Sequence, residues 1–130
     1  MIYLLDLNYT LVANSENKRS PFIHQIAAEI YRQALIERLQ GERVFLLTAR
    51  PAKYETATLA SIKGKTGWKP ERAFFNSYGL PPPNAKQEML KKILPEFPGE
   101  KFFGIESNPG TRAMYMRHGI ESYTWADFLK

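Results

Sequence analysis

Short apolar runs alternate with longer amphipathic stretches along the whole chain. Ile2-Tyr-Leu-Leu-Asp-Leu7 is apolar at odd and even positions alike, which predicts a strand covered on both faces. Arg43-Val-Phe-Leu-Leu47, Ala73-Phe-Phe75, Lys101-Phe-Phe-Gly-Ile105 and Ile120 to Thr124 read as four more strands. Helical spacing fills the intervals. Ser20-Pro21 predicts an N-cap followed by a first-turn proline, and Phe22, Ile23, Ile26, Ala27, Ile30 and Ala34 then share one face until Gly41. Pro51 opens a second helix to Ile62, and Lys63 to Pro70 reads as a loop. Pro81-Pro-Pro83 delays the third helix until Asn84 caps it, with Met89, Leu90, Ile93 and Leu94 on its apolar face. Asn108-Pro109 begins a fourth helix that ends at His118-Gly119, and a short helical turn closes the chain near Leu129.

Five alternations of strand and helix predict one α/β domain over residues 1–130. Right-handed crossovers then make a five-stranded parallel sheet with helices on both faces, a three-layer Rossmannoid arrangement. Ligands of such sheets bind beyond the carboxyl ends of the strands. Three polar segments stand at those ends: Asp6-Leu-Asn8-Tyr-Thr10, Thr48-Ala-Arg50 and Glu106-Ser-Asn108.

Composition narrows the chemistry. The 130 residues are 44% hydrophobic and 24% charged, as in an ordinary globular domain, and no apolar run approaches a membrane span. There is no cysteine, which excludes disulfides, thiolate nucleophiles and Cys-ligated zinc. With no signal-peptide pattern at the start, the cytoplasm is the expected compartment. Net charge is +5, which favours anionic partners such as nucleotides, nucleic acid or phosphorylated metabolites. Two features are set aside. Gly64-Lys65-Thr66 copies the tail of a phosphate-binding loop, but Leu59 stands where its first glycine belongs and a helix precedes it. His24 and His118 have no second ligand at metal spacing.

A carboxylate at the end of a buried strand is costly to desolvate unless cations or donors meet it. Asp6 is such a group. Its segment, LLDLNYTLV, resembles the nucleophile motif D-x-D-x-T/V of the haloacid-dehalogenase (HAD) superfamily of phosphohydrolases and phosphotransferases. By that resemblance Asp6 forms an aspartyl-phosphate and helps hold Mg²⁺, the Asn8 carbonyl is a second metal ligand, and Thr10 keeps its motif position. VFLLTAR is similar to the second motif, with Thr48 bonding the phosphoryl group. Lys86 resembles the third. Its predicted place in a first helical turn, where the macrodipole disfavours a cation, means either that an anion holds it or that its head is simply solvated. FFGIESNPGTRAMY is similar to the fourth motif: Glu106 is the expected metal ligand, with Ser107 and Asn108 where a second acid often stands.

The resemblance implies the strand order 5-4-1-2-3, with the Asp6 strand central. One loop and one helix occupy Val12 to Glu42, which leaves no room for a cap domain and implies large substrates. TARPAKYETATLASI is also similar to the phosphatase domain of bifunctional polynucleotide kinase–phosphatases. With Thr10, Arg50, Lys53, Asn108 and Arg112 as substrate-binding candidates, the expected ligand is a phosphorylated nucleotide or nucleic-acid end. Asn8 departs from the motif. The acid–base aspartate is absent, and its loss typically costs about 10²–10⁴-fold in rate. Two readings follow: a slow or specialised Mg²⁺-dependent enzyme, or a degenerate protein that binds or sequesters a phosphorylated nucleotide.

Overall fold

A computed structural model describes all residues, 1–130. Five parallel strands form one sheet: β1 (Ile2–Leu5), β2 (Arg43–Pro51), β3 (Arg72–Asn76), β4 (Phe102–Ile105) and β5 (Glu121–Tyr123). Their order is β3-β2-β1-β4-β5, so the Asp6 strand is central, as expected. The helices are α1 (Phe22–Ala28), α2 (Gln33–Arg38), α3 (Glu55–Thr66), α4 (Pro82–Glu96), α5 (Pro109–Arg117) and α6 (Trp125–Phe128).

The alternation of β1 explains its position. Leu5 joins a core with Leu35, Ile36 and Ile62 from α2 and α3. Ile2 and Leu4 join the opposite core, with Met89, Leu90 and Ile93 of α4 and Met114 and Tyr115 of α5. A strand clothed on both faces belongs in the interior of a sheet. Gly104 on β4 permits the second layer to close, because a Cβ there would meet the Tyr115 ring at 2.9 Å and Ser122 Cβ at 2.8 Å.

The helix expected from Pro21 to Gly41 is two helices. Glu29 leaves helical geometry at ψ 138, and Asn14 competes for the freed backbone: its Oδ1 accepts from Ile30 N and its Nδ2 donates to Ala28 O. Lys65 Nζ takes the carbonyls of Ala27 and Glu29, a cap supplied from another helix. Ile30, expected in the core, is 61% exposed. Other boundaries moved as well: Pro51, expected to open the second helix, ends β2, and α3 starts at Glu55. α3 runs on to Thr66, so Lys63 and Gly64 are helical and Gly67 ends the helix at φ 73. α4 begins at Pro82 behind Pro81, since prolines fit a first turn whose N–H groups have no intrahelical partner. Asn84 therefore does not cap it, and Lys86 sits in the second turn, beyond the strongest part of the macrodipole.

Candidate functional site

Asp6 follows β1 directly, and the chain then makes a wide turn closed by Leu11 N–H to Asp6 O and Val12 N–H to Leu7 O. That turn folds Thr10 back so that its hydroxyl donates to Asp6 Oδ2 at 2.8 Å. From β4, Ser107 donates to the same oxygen through its hydroxyl at 2.7 Å and its N–H at 3.3 Å. From α4, Lys86 Nζ lies 2.8 Å from Asp6 Oδ1 and 2.6 Å from Glu106 Oε1. Asn108 N–H holds the other Glu106 oxygen at 3.0 Å. Three elements thus bring Asp6, Lys86 and Glu106 together around a cavity of about 200 Å³, lined also by Asn8, Tyr9, Ala49, Ser107 and Asn108. Cavities of about 830 and 420 Å³ lie elsewhere, but the ionisable groups lining them are exposed or half-buried.

The trio holds two carboxylates and one ammonium, all at most 6% exposed. Burial raises the pKa of Asp6, but the Lys86 ammonium, helped by hydrogen bonds from Ser107 and Glu106, outweighs it and holds the group below the ordinary carboxylate range. Burial likewise disfavours the Lys86 cation, yet the two facing carboxylates leave its pKa raised. Glu106 bears the remainder. Burial, reinforced by the Asp6 charge and only partly offset by Lys86, pushes it up to about 7. Two carboxylates sharing one cation cannot both ionise freely, so Glu106 takes up a proton before Asp6 as pH falls.

Of the expected metal ligands, Asp6 and the Asn8 carbonyl lie together, with Ser107 between them. The Ser107 hydroxyl stands 2.7 Å from Asp6 Oδ2 and 3.3 Å from the Asn8 carbonyl oxygen. Asp6, the Asn8 carbonyl and the Ser107 hydroxyl would offer Mg²⁺ a carboxylate, a carbonyl and a hydroxyl, hard oxygen donors of the kind it accepts. Glu106, expected in this set, bonds Lys86 and Asn108 N–H through its two oxygens, just as Asp6 bonds Lys86 through one oxygen and Thr10 and Ser107 through the other.

Several expected contacts point elsewhere. Thr48 does not line the cavity, and its Oγ1 accepts from Arg50 N–H at 3.1 Å. Arg50, expected at the ligand, is buried in a pair with Glu29, and it also donates to Thr58 Oγ1 and to Asn8 Oδ1 at 2.9 Å. Arg112 donates to the carbonyls of Glu106 and Ser107, bracing the β4 loop. Lys53 is exposed beside the Tyr54 ring, and Thr10 is fully enclosed behind Asp6. Asn108 does line the cavity while its Oδ1 caps α5 at Thr111 N.

Glu29 and Tyr9 escaped sequence reasoning. Glu29 fell inside an apparently continuous helix. Tyr9 was legible as a large aromatic within a polar loop; it lines the cavity, is 50% exposed and adopts φ 61. A bulky side chain in that left-handed region costs on the order of 1–3 kcal/mol. Tyr9 N–H donates to Ser15 Oγ at 2.7 Å and helps fix it.

No protein-family model matches the chain, and no curated protein matches it in sequence. The fold has solved counterparts. A chain of a Pnkp1/Rnl/Hen1 complex superposes with a TM-score of 0.72 at 20% identity, over 95% of this chain and 45% of that one. A chain of the Pnkp1/Rnl/Hen1 RNA repair complex gives 0.74 at 16% identity, over 95% and 41%. The present chain therefore spans less than half the length of either counterpart. At these identities the likeness establishes the parallel α/β fold.

Proposed function

We propose that the protein is a slow phosphohydrolase or phosphotransferase of the HAD type, acting through Asp6 on the phosphate of a nucleotide or nucleic-acid end. The observation that carries this reading is the Asp6 carboxylate, held ionised at the end of the central strand by Lys86, Thr10 and Ser107, in a cavity of about 200 Å³. An Asp6 oxygen bonds to phosphorus as the bond to the leaving oxygen breaks. The leaving oxygen keeps the electron pair and takes a proton from water. A second water then attacks phosphorus, releasing phosphate and regenerating the carboxylate. Mg²⁺, held by Asp6, the Asn8 carbonyl and Ser107, would supply charge shielding between phosphate and carboxylate. The nucleic-acid assignment draws support from the net charge of +5 and from the RNA repair complex that shares the fold.

One observation favours the alternative, a protein that binds a phosphorylated nucleotide without turning it over. Arg50 fixes Asn8 Oδ1, so the position two residues after Asp6 presents a neutral amide with no proton to exchange. Turnover of a phosphorylated oligonucleotide, followed by release of inorganic phosphate, separates the two. Wild type is expected to be slow, and Asp6→Asn inactive. Asn8→Asp is expected to gain up to about 10²-fold. Arg50 will keep the new carboxylate ionised, so the gain should fall on water attack rather than on leaving-group protonation. Tight binding with no phosphate release from wild type or Asn8→Asp would overturn the enzyme reading.

A further inference from the structure

The left-handed backbone at Tyr9 is a position that glycine would fill without strain. A large aromatic stands there instead. Of the seven exposed large apolar side chains, Tyr9 alone lines the Asp6–Lys86 cavity. Its backbone is pinned by Ser15 and by the turn that positions Asp6, so the side chain starts from a fixed point on the mouth. Lys18 Nζ lies 4.9 Å from the ring centroid, and the neighbouring Arg19 is exposed as well. An exposed aromatic ring with a lysine beside it, next to the pocket proposed to take phosphate, matches the way single-stranded nucleic acid is held. Bases stack on aromatic rings, and lysines meet the phosphodiesters.

We propose that Tyr9 is a stacking platform for the base of the nucleotide whose phosphate enters the Asp6–Lys86 pocket, with Lys18 placed for the adjoining phosphodiester. The site would then select base-bearing phosphate ends over bare phosphate esters. This rests on the pocket being a phosphate site, as proposed above.

Binding separates the two ideas when the full chain is titrated with inorganic phosphate, a nucleoside monophosphate and a short oligonucleotide bearing a terminal phosphate. Wild type is expected to prefer the base-bearing ligands. Tyr9→Ala should lower the ratio of nucleotide to phosphate affinity by about 5- to 150-fold, the range for loss of one base–aromatic stack. Tyr9→Phe should keep the ratio. Tyr9→Gly, which relieves the backbone strain and so stays folded, should behave as alanine does. If phosphate binds but the ratio is unchanged in Tyr9→Ala and Tyr9→Gly, the platform is wrong while the pocket reading stands. If wild type binds neither phosphate nor nucleotide, both are wrong.

Discussion

Two clusters of buried charge sit under the same end of the sheet, and they differ in balance. Around Arg50 there is one guanidinium and one carboxylate, Glu29, with side chains 0% and 2% exposed. Around Lys86 there is one ammonium and two carboxylates, Asp6 and Glu106, beside a cavity. A balanced pair can be sealed away, because each ion neutralises the other. An unbalanced trio retains an excess negative charge that only a proton or an arriving cation can settle. The first arrangement holds the chain in shape; the second is left able to take up charge.

The sharpest way to break this contrast is Glu29→Ala. Removing the sole anion beside a sealed guanidinium should cost about 3–5 kcal/mol, read as a shift in urea unfolding. The double variant Glu29→Ala/Arg50→Met should recover most of that loss, since no unpaired charge remains. If the single variant unfolds at the same urea concentration as wild type, Arg50 is not sealed as described.

The trio predicts a smaller, pH-dependent effect. Glu106 titrates at about 7 in the folded chain, against an ordinary value of 4.5. The folded state therefore binds more protons between those values, and this contribution to stability is lost as pH rises through 7. Its amplitude is on the order of 1–3 kcal/mol. Glu106→Gln should flatten the decline between pH 5 and about 8 in denaturant unfolding measured at each pH. An identical slope in both proteins would refute the assignment. Asp6 runs the other way: its pKa is lowered, so its contribution is lost as pH falls through the folded value.

The mildest test is Thr58→Val, which keeps shape and removes the hydroxyl that accepts from Arg50 Nη1. About 1 kcal/mol should be lost in thermal or urea unfolding. No loss would mean that Glu29 alone satisfies that nitrogen.

The sheet was legible because the strand at Ile2–Leu5 is apolar in both directions and because the helices between strands announce themselves by spacing. Asp6, Thr48, Lys86 and Glu106 were all expected to converge, from their places at the ends of separate elements; three of them meet, and Thr48 turns to Arg50 N–H instead. What periodicity could not carry was partnership. Arg50 and Glu29 are far apart in sequence, and nothing local distinguishes an arginine that faces a ligand from one that turns inward. Ile30 fitted a helical stripe, yet Asn14 and Lys65 offered its neighbours better hydrogen bonds outside the helix. Lys86 was placed by the wrong cause. Its neighbours Asp6 and Glu106, rather than a first-turn conflict with the helix dipole, account for its burial.

The excursion that carries Lys18 has a narrow neck. Val12 and Tyr31 form an antiparallel bridge, tightened by Ala13 N–H to Ile30 O and Arg32 N–H to Leu11 O, each 2.7 Å. Entry and exit of the segment are thereby clamped to each other, independently of its length. Its tip at Glu16 and Asn17 is exposed and polar. For a flexible loop, each doubling in length costs only about 0.6 kcal/mol. The neck thus separates the length of the segment from the spacing of its ends: residues added at the tip leave Leu11 and Arg32 where the bridge holds them.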